Sequence, residues 1–382
     1  MKPFQDPVGG MSTVEWEALS ADRLYSSYRW LDLTASSMAG AVHGRTPAGA
    51  LAAMPISVAD DGLGDFYRWS DQLAPRGLVA PPASGVLVGP RRGYQSHLLS
   101  SPGADPVAAA ATVLDGLSSL DDVPDGAPRV GMYLDTASVV AFRSAGVRSL
   151  PVLLRADAWI PVPDGGWDDW LRSLPSRSRA ELVRRERRKF EAVGYEVTDH
   201  PLSDWVDVVG QLLTNTEAKY GHSTDPAARR AFLGRQADCM GPAARVLLCA
   251  RPGEPPVGYC LYYLWGDTLF LRSAGFDYSR LHNAAEYFNL VYYLPVRIAA
   301  EAGAHWIHAG VEAAEAKAMR GAQLRPLWLL ELSDGVLSDQ DDAIRAANTA
   351  LVTELTGSSS AVRTAWCTTA ADDFGITPTE PA

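Results

Sequence analysis

The chain has 382 residues, 47% hydrophobic and 21% charged, the balance of an ordinary soluble globular protein with length for two to three domains. A net charge of −11 argues against a general nucleic-acid coat, which would carry a basic surface. No apolar run approaches the ~18 residues of a membrane-spanning helix, and residues 1–10, polar with two prolines, do not read as a signal peptide. Cys239, Cys249, Cys260 and Cys367 have no metal-ligand spacing, so free buried thiols in a reducing cytoplasm are expected.

In chain order, residues 13–36 read as helix punctuated by Trp16, Tyr25, Tyr28 and Trp30, and 48–57 as a strand entering the core. A Gly/Pro/Asp-rich stretch over 60–93 reads mostly as loops around the short apolar run 85–88. An alanine-rich amphipathic helix is expected over 105–120, then a strand at 129–134, a helix at 137–145 and a strand at 149–160. Strands alternating with helices indicate an α/β layer architecture.

The second half repeats the theme. A short helix over 167–174 is followed by a basic one over 178–193, closed by Gly194. A strand at 195–198 precedes helices over 205–220 and 226–239, the latter with Asp225 as N-cap and Pro226 in its first turn. Strands at 244–250, 257–265 and 268–275 form a meander. A helix over 284–303, a strand at 305–309, a short helix over 313–320, a strand at 325–332 and a helix over 339–356 follow. The Ser/Thr/Pro-rich tail beyond Gly357 is expected to be weakly ordered. Two helices, a three-stranded meander, then helix, strand, helix, strand is the order of the acetyltransferase-like (GNAT) fold.

The residues sharpen this. The run IPVPDGGWDDWLRSLPSRSRAELVRRERRKFEAVGYEV from Ile160 resembles the FemAB-like family of tandem acetyltransferase-fold proteins, which carry such a segment between their two domains. TEAKYG from Thr216, LFLRSAGFDYS, EYFNLVYYLPVRIAAEAG and HAGVEAAEAKAMRGAQLRP occur in the same order in that family, and LYSSYRWLDL followed by ALAAMPISV looks like its first domain. The resemblance spans roughly residues 20–332. It implies two GNAT-like domains, 12–158 and 159–335 (with 159–194 as an interdomain basic segment), then a terminal helix and tail over 336–382. It also implies a cleft site between the domains and formation of an amide bond, in many members from aminoacyl-tRNA to an amine.

One departure bears on the donor. Ordinary acetyltransferases hold the coenzyme A pyrophosphate on a glycine-rich loop whose backbone N–H groups face the anion at a helix N-terminus. The corresponding connection here, Phe276-Asp277-Tyr278-Ser279-Arg280-Leu281-His282-Asn283, contains no glycine. An aminoacyl-tRNA or an acyl carrier protein fits this better than acetyl-coenzyme A. The expectation is a cytoplasmic acyltransferase with no cofactor of its own and a small-molecule amine acceptor, from cell-wall precursor or specialised-metabolite synthesis. A conventional acetyl-coenzyme A enzyme with a degenerate loop and a non-catalytic binding module stay open.

Candidate residues follow from chemistry and position. Between Arg177 and Lys189 stand seven basic residues against Glu181 and Glu186. Arg184, Arg185 and Arg188 either contact donor phosphates or belong to a salt-bridged helix with Glu181 and Glu186 as partners. Arg272 lies in an apolar strand and needs an anion or a partner such as Asp277. Tyr220 and His222 close a helix where a loop can carry function. Among Glu286, Tyr287, Asn289, Tyr292 and Tyr293 most are expected in the core, with Tyr287 kept as a substrate contact. His308, with Glu312 four residues on, is either a general base for the attacking amine or a satisfied core histidine. The resemblance places Lys317 at the acyl-donor end, facing the reacting carbonyl or a donor phosphate, and makes Arg320 structural or phosphate-binding. No nucleophile elbow, Walker loop or HExxH motif is present.

Overall fold

Short runs rich in valine, leucine and aromatic residues, bounded by glycine and proline, form the strands. They are β1 (Ala39–Arg45), β2 (Leu51–Ala59), β3 (Gly85–Val88), β4 (Leu99–Ser100), β5 (Arg129–Leu134), β6 (Val152–Pro161), β7 (Glu196–Pro201), β8 (Ala244–Ala250), β9 (Gly258–Trp265), β10 (Thr268–Phe276), β11 (Trp306–Gly310) and β12 (Gln323–Glu331). The structure is a computed structural model and describes the chain apart from residues 1–5, 7, 36–38, 60–63, 121, 122, 125, 223, 224, 368–373 and 375–382. Two units divide it: Met1–Asp157 with Leu324–Ala382, and Ala158–Gln323.

The first unit orders its strands β1-β2-β3-β5-β12-β6, with β4 also on β2. β1, β2 and β3 are antiparallel neighbours, whereas β3 and β5 run parallel. β2 is buried from Ala52 to Ala59, as befits an interior strand. β1 was not expected: its small residues (AGAVHGR) show little alternation, and pairing with β2 rather than patterning makes it a strand. Helix Pro106–Ser118 packs on β1 and β2 through Ala109, Val113 and Leu117, four residues apart. Asp105 caps it by accepting from Val107 N and Ala108 N. Helix Thr136–Ser144 is capped by Asp135, which accepts from Ser138 N at 2.9 Å. His97 Nδ1 lies 3.1 Å from the other oxygen of the same carboxylate.

Other expectations change in this unit as well. The helix expected over 13–36 is broken into Thr13–Ser20, a turn at Leu24–Ser26 and Tyr28–Leu33, because Ser27 caps a fresh helix by accepting from Trp30 N. β12 pairs antiparallel with β5, so Leu324 onward belongs to the first unit. Helix Asp341–Gly357 is fixed there by buried Asn348, which accepts from Leu153 N at 2.8 Å and donates to Pro151 O at 2.9 Å. Beyond Gly357 the chain forms helix Ser360–Ala365, capped by Ser359, where weak order was expected. The rest of that tail, apart from Trp366, Cys367 and Phe374, lies outside the described residues.

The second unit is ordered β11-β10-β9-β8-β7, an antiparallel meander from β7 to β10 with β11 parallel to β10; Ala158–Pro161 of β6 pair antiparallel with β11. Helices Val206–Lys219 and Pro226–Met240 pack together, the first against β10. The approach of that first helix to the strand needs Gly275, where a Cβ would stand 2.5 Å from the Leu212 carbonyl oxygen. The helix expected over 284–303 runs from Glu286 to Glu301 and carries a π-helical turn at Asn289–Tyr293. Pro295 accounts for the irregularity, since it lacks the N–H that an α-helix would send to Val291 and its ring crowds that carbonyl. Among the described residues, no helix is long and apolar enough to cross a membrane.

Candidate active site

β10 and β11 pair over three positions, Thr268 with Trp306, Leu269 with Ile307 and Phe270 with His308. Past Phe270 they part. Against β9, β10 bulges between Leu271 and Ser273, leaving Arg272 out of the register, and β11 shifts against β6 between His308 and Gly310. Bulges re-aim side chains where pairing ends and are common beside active sites. Arg272 is half-buried on this bulge. Its expected partner, Asp277, is engaged elsewhere: that carboxylate accepts from Ser279 N, Ser279 Oγ and Arg280 Nε, the last at 2.7 Å. These bonds hold Asp277 below the usual carboxylate range.

Lys317 sits where β11 ends. It is only 6% exposed, and its Nζ donates to the Gly310 carbonyl oxygen at 2.9 Å. A buried ammonium needs such partners. Its helix, Ala314–Ala318, starts from Ala313 in the left-handed region at φ 54°, a strained conformation for a non-glycine residue. His308 is 1% exposed, with its ring centroid 5.0 Å from that of Trp159 and 5.3 Å from that of Phe270. Glu312, its sequence companion, is exposed.

The basic helix, Arg177–Ala192, has two chemical faces. Arg184, Arg185 and Arg188 are exposed; Arg184 pairs with Glu181 at 2.9 Å, while Arg185 and Arg188 have no ion-pair partner among the described residues. Glu186 turns inward instead of pairing along the surface. It accepts from the Tyr293 hydroxyl, and its Oε2 lies 3.8 Å from Arg320 Nη2. Arg320 is buried, donates to Ala316 O at 2.8 Å and stacks over Phe288 with 3.7 Å from Cζ to the ring centroid. These groups line a cavity of about 230 Å³ together with Arg179, Leu182, Val183, Glu315 and Met319. Burial raises the Tyr293 phenol, opposed by the Arg320 charge, so the hydroxyl stays a donor. Tyr293 closes the π-helical turn, and such turns recur at functional sites.

The connection after β10 carries the most informative hydrogen bonds. Asn283 and Ala285 take left-handed φ of 54° and 60°, which turns backbone N–H groups inward at the start of helix Glu286–Glu301. His282 N and Ala284 N donate to the two oxygens of Glu286 at 2.7 and 2.8 Å, and the Tyr195 hydroxyl donates to Oε1 at 3.0 Å. Glu286 is 3% exposed. The chain's own carboxylate thus fills the place where a backbone anion cradle would open. Burial, then Glu286, raises the Tyr195 phenol, and the same two causes push the Cys249 thiol up to about 12.

The remaining candidates differ in exposure. Tyr220 is 67% exposed and His222 is exposed; neighbouring Lys219 Nζ lies 3.5 Å from the Tyr278 ring centroid. Tyr287 is partly exposed beside Phe276, Phe288 and Tyr292. The structure brings Arg320 together with Glu186, Tyr293 and Phe288, and ties Lys317 to the end of β11. The inward role of Glu186 was missed. Its signal was available: in the 3.6-residue period Glu186 lies with Val183 and Phe190, the buried stripe, rather than with Arg184 and Arg188.

Parting parallel strands and a bulged β10, in α/β units with mixed sheets flanked by helices, are the geometry of the GNAT fold in tandem. Solved structures bear this out. FemX superposes with a TM-score of 0.59 at 10% identity, over 84% of this chain and 96% of FemX. L-PGS from Bacillus licheniformis does so with a TM-score of 0.52 at 11% identity, over 89% of this chain and 98% of its own. The C-terminal DUF2156 domain of a lysylphosphatidylglycerol synthetase from Agrobacterium fabrum gives a TM-score of 0.52 at 11% identity, over 89% and 97%. At these identities the likeness is one of fold, the tandem GNAT fold of FemAB-like proteins. No protein-family model and no curated protein sequence matches the chain.

Proposed function

We propose that this protein is an amide-forming acyltransferase whose donor is an acyl or aminoacyl group on a large carrier, an aminoacyl-tRNA or an acyl carrier protein, rather than on free coenzyme A. The observation that carries this reading is the Glu286 carboxylate held by His282 N and Ala284 N. A pyrophosphate bound there would have to displace a buried carboxylate from two N–H bonds and a tyrosine, or sit against its charge. The lysylphosphatidylglycerol synthetase domain, similar in fold, is named for a lysylated product, which supports an aminoacyl group on the donor.

In this mechanism the neutral amine attacks the donor carbonyl carbon, the C–N bond forms and the carbonyl oxygen becomes an oxyanion. Collapse breaks the C–O bond of an ester or the C–S bond of a thioester, and the proton shed by the nitrogen goes to the leaving group. Lys317, tied to the end of β11, supplies positive charge to the oxyanion, with Arg272 on the facing bulge as a second cation. Arg184, Arg185 and Arg188 meet carrier phosphates. His308 packs the strand ends from within its aromatic stack. The test is transfer to a panel of amines from aminoacyl-tRNA, acyl carrier protein and acetyl-coenzyme A. Turnover with a carrier-bound donor is expected, and robust turnover with acetyl-coenzyme A overturns the reading.

A further inference from the structure

Arg76 and Arg155, both in the first unit, converge on one oxygen. Arg76 Nη2 donates to the Leu154 carbonyl at 3.0 Å and Arg155 Nη1 to the same atom at 2.7 Å. Arg76 Nη1 also donates to Gln72 O. Neither guanidinium makes an ion pair among the described residues, and the buried Arg76 Nε has no hydrogen-bond partner there. Two full positive charges thus rest on two neutral carbonyl oxygens, one of them shared, an arrangement that structural arginines avoid by recruiting a carboxylate.

The surroundings are built rather than incidental. Arg155 lies over the Phe66 ring, with 5.9 Å from Cζ to the centroid. Phe66 is fixed by its carbonyl, which accepts from the Tyr133 hydroxyl at 2.6 Å, and Tyr94 packs edge-on against both rings at 5.6 and 5.7 Å. Tyr133 itself is held at φ 56°, a left-handed conformation that is an outlier for a bulky side chain and clusters at functional sites. Strain, an aromatic wall and two guanidiniums sharing one carbonyl meet in one place.

The geometry points to an anion-binding site in the first unit, formed by Arg76 and Arg155, that takes an oxyanion: a phosphate or a carboxylate group of a small molecule. Two or more oxygens on one centre can accept from Arg76 Nε and from the outer edge of Arg155, which a lone carbonyl cannot. The site uses none of the residues assigned to acyl transfer and does not depend on which donor is used.

The test is the melting temperature of the full chain at low ionic strength, titrated separately with inorganic phosphate, sodium acetate and sodium chloride. A saturable rise with phosphate or acetate, absent with chloride at matched ionic strength, is expected, and the better of the two names the source of the oxyanion. Arg155→Gln should weaken that apparent affinity by roughly tenfold or more, as expected when a charge-assisted hydrogen bond is removed. In anion-free buffer Arg155→Gln should melt no lower than wild type, because it removes a like-charge neighbour of Arg76. Equal responses to all three salts, an unchanged affinity in Arg155→Gln, or an equal destabilisation with and without anion would each overturn the site. Should Arg155→Gln fail to fold, Arg155→Lys and Arg76→Gln answer the same question through their affinities.

Discussion

The Lys317 ammonium donates to the Gly310 carbonyl oxygen at 2.9 Å, tying a buried cation to the last residue of β11. The bond aims the charge at the end of the strand, where β10 and β11 no longer pair. Removing it should separate two effects. Lys317→Ala is expected to lower kcat by about 10²–10³, the usual cost of one oxyanion donor. It should also cost about 1–2 kcal/mol of stability, because the Gly310 carbonyl is left without its donor. Lys317→Arg should rescue turnover in part, since a planar guanidinium is a poor substitute for a point charge. Assays well below the melting temperature, with folded enzyme quantified, check this; turnover of Lys317→Ala within about threefold of wild type removes Lys317 from the oxyanion role.

Glu286 satisfies two backbone donors of its own chain, so its replacements should differ in stability. Glu286→Ala leaves His282 N and Ala284 N without their acceptor and is expected to cost about 2 kcal/mol, whereas Glu286→Gln keeps one acceptor oxygen and should cost less. Urea denaturation measures both. In calorimetry the wild-type protein should show no saturable binding of coenzyme A; micromolar binding would contradict the occupied cradle.

The outer face of the basic helix offers a charge reversal that spares the fold. Arg184 and Arg188 are both exposed, so Arg184→Glu with Arg188→Glu should change stability by only about 0.5 kcal/mol at each position. Donor affinity should fall, and the slope of log K against log salt should flatten by about 0.7–0.9 for each phosphate no longer neutralised. An unchanged salt slope with wild-type activity per folded molecule would make the helix structural only.

Asp135 gives a pH signature. Burial raises its pKa, but His97 beside it and the bonds from Ser138 outweigh this, and its carboxyl is held below the usual carboxylate range. A folded pKa below the unfolded one means stability that is fully present above about pH 4 and is lost as pH falls through the lowered value. Asp135→Asn should therefore destabilise the protein at neutral pH and flatten the acid limb of its stability profile. Unfolding free energies from pH 7 down to pH 2 check this, and parallel acid limbs for the two proteins would exclude Asp135 as the source.

Local chemistry alone determined much of this protein. Pro106 behind Asp105, Pro226 behind Asp225 and the apolar runs 129–134 and 244–250 mark their elements because caps and runs act over a few residues. The stretch after β10 likewise showed in the sequence that its turn is made without glycine. Tertiary structure decided the rest, because it depends on partners distant in the chain. β1 is a strand only through β2, and β12 joins the first unit by lying between β5 and β6. Glu186 was one of two acids in a basic run until Tyr293 and Arg320, more than a hundred residues away, drew it inward. Arg76 and Arg155 carry no motif at all, and only folding brings both guanidiniums to the Leu154 carbonyl.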